Sequence, residues 1–412
     1  MRAGSTTGPS LDPAARRWQP IVGLCGLVAM LDGFDTQAIA LVAPDLAHRW
    51  GIDATSFGPI FGAGLLGGLV GAILLGNVAD RIGRKPTLLL AVALFGGVTC
   101  LTVLASGMRQ LLLLRLVTGL GLGGALPSMI SMAAESAPAR LRTTVVATMF
   151  CGFPIGAILA GVAAALLVPA YGWKSLFVVG GIAPLILLGL LAAFLPRSRT
   201  GPATLLARTD RDRRLVPGVS RLFADGLASR TLLLWCAFFC SLLLSYFLVN
   251  WIPLLAGRSG IDPRAAVLAV SALNAGGVIG CIGIGLLADR LGRTRIIGVA
   301  FLAGAVAVAL VGRGGASSMW LLSMAAVAGF FSIGAQMATV AVGAALYEAA
   351  VRGTGVGWSM GIGRVGALLG PVIGGVLLGA GIAGPLLFAC AGAVSALAAV
   401  AIFALGRAGA SR

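Results

Sequence analysis

The sequence predicts an all-α integral membrane protein of twelve transmembrane helices, arranged as two six-helix bundles related by a pseudo-two-fold axis. The 412 residues are 58% hydrophobic and only 10% charged, against about 25% charged residues in soluble domains. Apolar runs of about 20 residues, long enough to cross a bilayer, can be counted twelve times. The segment Gly76–Arg84 returns 209 residues later as Gly285–Arg293. Such self-similarity indicates two related halves.

The twelve runs define the domain organisation. The predicted spans cover residues 19–43, 56–78, 85–105, 110–133, 143–168, 173–195, 231–255, 265–288, 295–312, 318–345, 354–379 and 383–405. Around them the chain divides into an N-terminal tail (1–18), a first bundle (19–195), a linker (196–230), a second bundle (231–405) and a C-terminal tail (406–412). The linker is polar and Arg-rich, which favours a flexible connection between the bundles.

Glycines recur inside the predicted spans, and the chain has 62 of them. In lipid, small residues allow two helices to approach closely. We therefore predict close helix packing along two glycine-rich faces, one in span 4 (Gly119, Gly121, Gly123 and Gly124) and one in span 8 (Gly276, Gly277 and Gly280).

The distribution of basic residues predicts the orientation. Of the 30 Lys and Arg residues, 22 fall on the side of the N-terminus, 6 fall on the opposite side, and Arg115 and Arg364 lie inside spans. Cytoplasmic loops retain basic residues, so both termini are expected in the cytoplasm. The excess of Arg over Lys fits a GC-rich bacterial genome, and we expect the bacterial inner membrane.

Composition also excludes several functions. The net charge of +17 would suggest nucleic acid in a soluble protein, but the positive-inside rule explains it here and no nucleic-acid partner is expected. His48 is the only histidine, and the seven cysteines form no CxxC pair, so no metal site is predicted. We expect no enzyme, no cofactor other than the proton as coupling ion, and a functional monomer.

Two carboxyl groups lie within span 1, at Asp32 and Asp35. A spacing of three residues places them on one helix face. Two like charges in a low dielectric do not ionise together easily, so at least one is expected to hold a proton. Proton or substrate transfer is the favoured function, because ionisable groups inside a membrane are functional by default. Pairing with arginines that merely hold the bundle together is the alternative.

Two arginines are predicted inside the membrane. Arg364 lies near the middle of span 11 among glycines that leave room for a ligand, and we expect it to bind a substrate carboxylate. Arg115 lies nearer the outer end of span 4, where substrate contact and a structural or relay pairing are equally compatible with the sequence. Glu135, at the cytoplasmic end of span 4, is expected to pair with a loop arginine or to act as a conformational latch.

Polar and aromatic residues inside the spans complete the predicted substrate site. An aromatic substrate needs apolar or stacking walls. The candidates are Phe34, Gln37, Tyr246, Asn274, Gln336 and Trp358, with Asn250 as a weaker one. Trp251 and Trp320 are instead expected in the interfacial aromatic belt.

The repeated segment predicts a conformational gate. Asp80 and Asp289 are each expected to follow a helix end, where a carboxylate can contact a neighbouring helix N-terminus in one conformational state only. Simple anchoring by basic residues is the alternative. The gating candidates are Gly76, Asp80, Arg81, Gly83 and Arg84 in the first half, and Asp289, Arg290, Gly292 and Arg293 in the second.

These segments resemble the major facilitator superfamily. Gly76–Lys85 is similar to that superfamily's signature between spans 2 and 3, and Gly285–Arg293 to its counterpart in the second half. Arg115–Gly121 resembles its span 4 motif. The resemblance covers essentially the whole chain and implies a major facilitator fold with transport by alternating access.

A narrower resemblance is to the aromatic acid:proton symporter family. Asp32–Gln37 is similar to its Asp-Gly-x-Asp pattern in span 1, Arg352–Trp358 and Gly361–Ala367 resemble its span 11, and Asn274–Gly277 fits its span 8. This resemblance implies import of benzoate-like acids, hydroxybenzoates among them, with protons. It also implies that transport depends on Asp32, Asp35, Asp80, Arg115, Glu135 and Arg364.

The chain departs from that family at one place. The family usually has Tyr-Pro before the arginine that opens span 11, whereas this chain has Tyr347-Glu348 before Arg352. A shift of 210 residues maps Arg142 onto Arg352, and these residues with Glu348 are assigned to a cytoplasmic gate. Proton-coupled efflux and symport of a non-aromatic acid stay open as alternatives on the same fold.

Overall fold

The computed structural model describes residues 18–138, 141–196, 222–223, 227–348 and 352–410. The predicted N-terminal tail and most of the linker lie outside the described residues, as do the side chains of Asp80, Arg142 and Arg352. Within the described part, twelve helices are long and apolar enough to cross a membrane, which confirms the predicted fold class.

Most helices extend a few residues beyond the predicted apolar runs, whereas span 6 is one residue shorter than its run at each end. Spans 1 to 6 are Trp18–Trp50, Phe57–Ile82, Arg84–Leu101, Met108–Ser136, the two pieces Arg142–Phe150 and Gly152–Tyr171, and Lys174–Phe194. Spans 7 to 12 are Ala228–Arg258, Pro263–Leu291, Arg293–Val311, the three pieces Ser318–Ala328, Gly329–Ile333 and Gly334–Leu346, then Arg352–Gly379 and Gly384–Ala410. The middle piece of span 10 is a π-helix.

The repeated segment forms the same sharp turn in both halves. Gly83 and Gly292 have φ angles of 93° and 101°, values that favour glycine. The N–H of Gly83 donates to the carbonyl of Ala79 at 3.0 Å, and that of Gly292 to Ala288 at 3.1 Å. Each glycine therefore ends one span and starts the next.

The position of the aspartates in this segment differs from the prediction. The helices continue to Ile82 and Leu291, so Asp80 and Asp289 lie in the last helical turn and do not follow it. The physical reason is that the glycine alone ends each helix.

Glycine faces hold neighbouring spans together, as predicted for spans 4 and 8. A Cβ added at Gly119 would overlap the carbonyl of Gly64 in span 2, and one added at Gly123 would overlap that of Gly68. In the second half, a Cβ at Gly276 would overlap the carbonyl of Ala326 in span 10. These helices approach so closely that no side chain fits between them.

The two halves contact each other at the end of the molecule that carries the loops between spans 1 and 2, 7 and 8, and 11 and 12. A Cβ on Gly58 of span 2 would lie 3.1 Å from the carbonyl of Pro371 in span 11. The rings of Phe61 and Trp251 meet edge to face at 5.9 Å. Nearer the middle, Ser271 Oγ of span 8 donates to the carbonyl of Ile158 in span 5 at 3.0 Å. The bundle is therefore closed at this end.

Trp251 contradicts the expectation of an interfacial tryptophan. Its side chain is fully buried, and its Nε1 donates to the carbonyl of Pro371 across the contact between the halves, at 3.1 Å. Because the indole N–H finds its partner inside the protein, the ring does not need the membrane interface.

We predict that Gly123→Ala destabilises the protein, because the new methyl group meets the backbone of Gly68 and overpacking costs about 1–3 kcal/mol. The melting temperature of the purified protein in detergent should fall by several degrees. Gly189→Ala in span 6 is the matched control, since no atom lies within 4 Å of its added Cβ. Equal melting temperatures for the two variants would contradict the packing.

Candidate functional site

A buried ion pair joins spans 1 and 4. Arg115 Nη1 lies 3.2 Å from Asp35 Oδ2, and the side chains are 3% and 1% exposed. Thr99 Oγ1 donates to Asp35 Oδ1 at 2.7 Å, and Arg115 Nη2 donates to Thr102 Oγ1 at 2.9 Å. The guanidinium also lies 5.0 Å from the ring centre of Phe177. Spans 1, 3, 4 and 6 thus meet around two opposite charges that compensate each other.

This geometry bears on the two functions that the sequence left open for Arg115. Asp35 already occupies the Nη1 group of this guanidinium, whereas its Nε is buried and has no hydrogen-bond partner among the described residues. Removing one partner of a buried pair leaves an uncompensated charge and destabilises the folded protein by about 3–5 kcal/mol. Arg115 therefore acts as the counter-ion of Asp35 in this structure.

Asp32 has different surroundings from Asp35. Its carboxylate accepts a hydrogen bond from Thr36 Oγ1 at 3.3 Å, and it lies within electrostatic range of Asp35 and Arg364. Among the described residues, no cation lies within ion-pair distance of it. The two carboxyl groups of span 1 therefore differ: Asp35 is held by a fixed cation, and Asp32 is not.

Arg364 is half-buried in span 11. Within the described ranges it makes no hydrogen bond and no ion pair, although Asp32 and Tyr246 are within electrostatic range of it. Gly363 and Gly366 lie directly against span 7, where an added Cβ would overlap Leu242 and the carbonyl of Phe239. The glycines thus bring span 11 close to span 7.

Polar side chains of spans 7, 8 and 10 belong to the same half as Arg364. Ser245 Oγ donates to Gln336 Oε1. The side-chain amides of Asn250 and Asn274 donate to the carbonyls one turn earlier, at 2.7 Å and 2.9 Å. In span 1, Gln37 Oε1 is buried and has no hydrogen-bond partner among the described groups.

Two predicted aromatic walls lie elsewhere. Phe34 is buried, and its ring faces Gly180 of span 6, because two residues of a helix turn it about 200° away from Asp32. Trp358 is 45% exposed and stacks on Trp235 with ring centres 6.0 Å apart. Neither ring is placed against Arg364 by any of these contacts.

The predicted gating residues lie at the opposite end from the closed contact. Arg84 pairs with Glu135, which joins the loop between spans 2 and 3 to the end of span 4. Asp289 Oδ1 lies 3.3 Å from Arg293 Nε within its own segment. A Cβ on Gly76 would meet no atom within 4 Å. The remaining described candidates, Arg81, Arg290 and Glu348, are exposed.

The sequence interpretation missed several residues of the site. Thr99 and Thr102 bind the buried ion pair, and Ser245 binds Gln336. Hydroxyl residues inside apolar spans were the available signal, but they often bond the carbonyl one turn earlier in their own helix. Only the packing of the helices shows which hydroxyls have distant partners.

An ion pair between the halves was also missed. Arg258 Nη2 at the end of span 7 lies 3.3 Å from both carboxylate oxygens of Asp53, in the loop after span 1. The N–H of Thr55 donates to Asp53 Oδ1 at 2.8 Å. The Thr55 backbone and hydroxyl, followed by Arg258, lower the pKa of Asp53. This exposed contact lies at the closed end of the molecule.

We predict that Asp53→Arg weakens the closed state of this end, because it places two cations together. Spin labels at Ser106 and Ser259, in a background without the seven native cysteines, report the separation of the halves there. The single variant should add a longer distance, and Asp53→Arg with Arg258→Asp should restore the original one. Failure of the double variant to restore it would argue against this ion pair.

The pH dependence of the same contact follows from the lowered pKa of Asp53. A carboxyl with a lowered pKa keeps its contact above its ordinary pKa of about 3.9 and loses it only as pH falls through the lower folded value. The distance distribution of the labelled protein should therefore be the same at about pH 7.5 and pH 5.5.

We predict that Asp35→Asn lowers the melting temperature strongly, because it leaves Arg115 charged and unpaired in the bundle, at about 3–5 kcal/mol. Asp35→Asn with Arg115→Gln should regain most of that stability, since neither member of the pair then carries a charge. Asp289→Asn is the control, because its exposed ion pair contributes about 0–1 kcal/mol. A double variant no more stable than Asp35→Asn would show that the ion pair does not set the stability.

Comparison with known proteins identifies relatives over nearly the whole chain. The family model described as Major Facilitator Superfamily matches residues 25–342. The chain is 36% identical to the 4-hydroxybenzoate transporter PcaK of Pseudomonas putida, covering 92% of each sequence. It is 36% identical to the gallate transporter of the same organism, over 96% of this chain and 93% of that protein. It is 39% identical to the 3-(3-hydroxy-phenyl)propionate transporter of Escherichia coli K12, over 92% and 91%.

Solved structures show the same fold. A bacterial homologue of the human lysosomal transporter Spinster, in an inward-facing and occupied conformation, superposes with a TM-score of 0.77 at 17% identity, over 94% of this chain and 97% of that one. The nucleoside transporter NupG superposes with a TM-score of 0.74 at 16% identity, over 93% and 99%. At these identities the likeness is one of fold.

Proposed function

Because the chain belongs to the Major Facilitator Superfamily, we propose that it imports an aromatic carboxylic acid of the benzoate and hydroxybenzoate class together with protons. The protein is a multi-pass membrane transporter and not an enzyme. The proposal concerns what is carried, with which ion and in which direction.

The chemistry shared by the relatives supports the substrate class. Hydroxybenzoate, gallate and hydroxyphenylpropionate, after which these transporters are named, all combine one aromatic ring with one carboxylate. The number and position of ring hydroxyls differ among them, as does the link between ring and carboxylate. We therefore assign the class and no single acid.

The observation that carries the proposal is the unpaired Arg364. A guanidinium stays charged in proteins and presents a fork that matches a carboxylate. A charge inside a membrane protein is unfavourable unless it finds a partner or faces a water-filled cavity. Since no described residue forms an ion pair with Arg364, a substrate carboxylate is the partner that we assign to it.

Asp32 is our choice for the proton site. It lies within electrostatic range of Arg364, and it has no fixed counter-ion among the described side chains. A proton on Asp32 removes a negative charge that would repel the incoming carboxylate. One proton moving with one monoanion transfers no net charge, so the pH gradient would drive uptake by about 1.4 kcal/mol per pH unit.

The direction of opening follows from the predicted orientation. If the termini are cytoplasmic, the closed end with Asp53 and Arg258 is extracellular. We infer that this conformation is inward-facing. In transport it would alternate with an outward-facing conformation, in which the contacts at the closed end separate. In the membrane assigned here, the bacterial inner membrane, substrate and proton would then be released together to the cytoplasm.

The experiment that tests the function is uptake into proteoliposomes. Labelled benzoate, 4-hydroxybenzoate and gentisate would be supplied outside, with an inward proton gradient and with or without a protonophore. Accumulation of one acid that collapses with the protonophore is the expected result. With the protein shown to be present and folded, no accumulation of any aromatic acid would contradict the substrate class, and gradient-driven release would indicate efflux.

We predict that Arg364→Lys weakens substrate binding, because an ammonium keeps the charge but loses the two-pronged geometry. Loss of one charged hydrogen bond is worth about 1.5–3 kcal/mol, or about tenfold or more in affinity. Competition of unlabelled acid against labelled acid in counterflow measures it. Arg313→Lys, a change at an exposed residue in the loop between spans 9 and 10, should leave the affinity unchanged.

We predict that Asp32→Asn abolishes accumulation but retains counterflow, because exchange of substrate needs no net proton movement. Asp45→Asn is the control, since Asp45 lies in the same helix and pairs with Arg49 near the surface. Proton-driven accumulation by Asp32→Asn at the wild-type level would remove Asp32 from the mechanism.

A further inference from the structure

A cavity of about 460 Å³ lies between the start of span 9 and the end of span 12. Its walls include Thr294 and Arg295 from span 9 and Val400, Phe403, Ala404 and Arg407 from span 12. It lies at the same end of the molecule as the repeated segments, which we predict to be cytoplasmic. It is separate from the site between Asp32 and Arg364, because it lies where two neighbouring spans of one half meet the membrane.

Two arginines without an ion-pair partner among the described residues line this cavity. Arg295 and Arg407 are exposed, and in the described ranges neither guanidinium makes a hydrogen bond or an ion pair. The acidic residue closest in sequence, Asp289, is already paired with Arg293. Two like charges lining one cavity favour an anion between them.

The equivalent place in the first half is closed by an internal contact. A shift of 209 residues maps Lys85 onto Thr294. Lys85 Nζ donates to the carbonyl of Ala192 at 2.8 Å and also to that of Leu195, at the end of span 6. Thr294 lies against Gly406 at the end of span 12, where a Cβ added to that glycine would come within 2.6 Å of Thr294 Oγ1. It makes no hydrogen bond to span 12 among the described residues, and both residues line the cavity.

The remaining wall is apolar and faces the lipid. Val400 is 62% exposed on the outside of the bundle, and Phe403 and Ala404 are partly exposed beside it. A ligand that suits this site needs an anionic group for the arginines and an apolar part along span 12. Basic pockets between helices at the cytoplasmic side are suited to anionic lipid headgroups.

We propose that this cavity binds the phosphate headgroup of an anionic phospholipid from the leaflet that faces the termini. Arg295 and Arg407 contact the phosphate, Thr294 Oγ1 offers a hydrogen bond, and one acyl chain lies along Val400 and Phe403. The inference rests on membrane insertion and on this cavity, and it is independent of the substrate proposed above.

Native mass spectrometry of the purified full-length chain tests it. The probes are phosphatidylglycerol, phosphatidylcholine with the same acyl chains, and inorganic phosphate. We expect the wild type to retain phosphatidylglycerol in preference to phosphatidylcholine. Arg295→Gln with Arg407→Gln should lower phosphatidylglycerol retention by about tenfold, since each basic residue near the surface contributes a few-fold. Retention of phosphatidylcholine should not change.

Two further variants separate the cavity from general charge. Arg109→Gln with Arg313→Gln removes two exposed cations at the opposite end and should keep phosphatidylglycerol bound. Ala404→Trp fills the cavity without changing the charge and should displace the lipid. It also gives a readout if the double Arg variant does not fold.

Three results would overturn the proposal. They are an unchanged retention of phosphatidylglycerol in the double Arg variant and in Ala404→Trp, an equal loss in the Arg109 and Arg313 control, and full displacement of the lipid by inorganic phosphate. The last would identify a site for free phosphate.

Discussion

The ion pair between Asp35 and Arg115 is the interaction on which the arrangement of the first bundle depends. Lipid offers no water to solvate a charge, so a carboxylate and a guanidinium in the middle of a bundle must satisfy each other. Here they do so with Thr99 and Thr102 as additional partners. Four spans are consequently held in one geometry by groups that each would be unfavourable alone.

This pairing also determines the electrostatic surroundings of Asp32, the other carboxyl group of span 1. If Asp35 had no counter-ion, the two carboxyl groups would compete for a proton as a pair. With Arg115 beside Asp35, the charge of that carboxylate is compensated, and Asp32 remains as the acid without a fixed cation. Arg364 is the corresponding cation in the other half, and no described residue forms an ion pair with it. The acid and the cation that lack an ion-pair partner among the described residues thus belong to different bundles, and these would move relative to each other in the alternating access proposed above.

The two halves have kept their packing and lost their similarity in charge. A shift of 209 residues maps Pro44 onto Pro253, Gly67 onto Gly276 and Gly71 onto Gly280. The same shift maps Asp32 onto Ser241 and Arg115 onto Met324. Close helix contacts tolerate few side chains, whereas ionisable residues follow the chemistry of the site. Duplication therefore explains the fold, and divergence within it explains the chemistry.

The same distinction explains what the sequence could predict. Apolar length and glycine spacing were enough to predict the twelve spans and the tight faces of spans 4 and 8. Helix periodicity also placed Asp32 and Asp35 near one face. It could not assign Arg115 to Asp35 rather than to Asp32, since that depends on how spans 1, 3 and 4 pack.

The prediction that Trp251 lies at the membrane interface was wrong for the same reason. Its hydrogen-bond partner, the carbonyl of Pro371, lies 120 residues away in the chain. Local sequence patterns predict which side chains share one face of a helix. Only tertiary packing determines which neighbouring group each side chain contacts. The ionisable groups of a membrane bundle make this distinction sharp. Each must find a partner. Arg115 forms an ion pair with Asp35, whereas no described residue forms an ion pair with Arg364, to which we assign a substrate carboxylate.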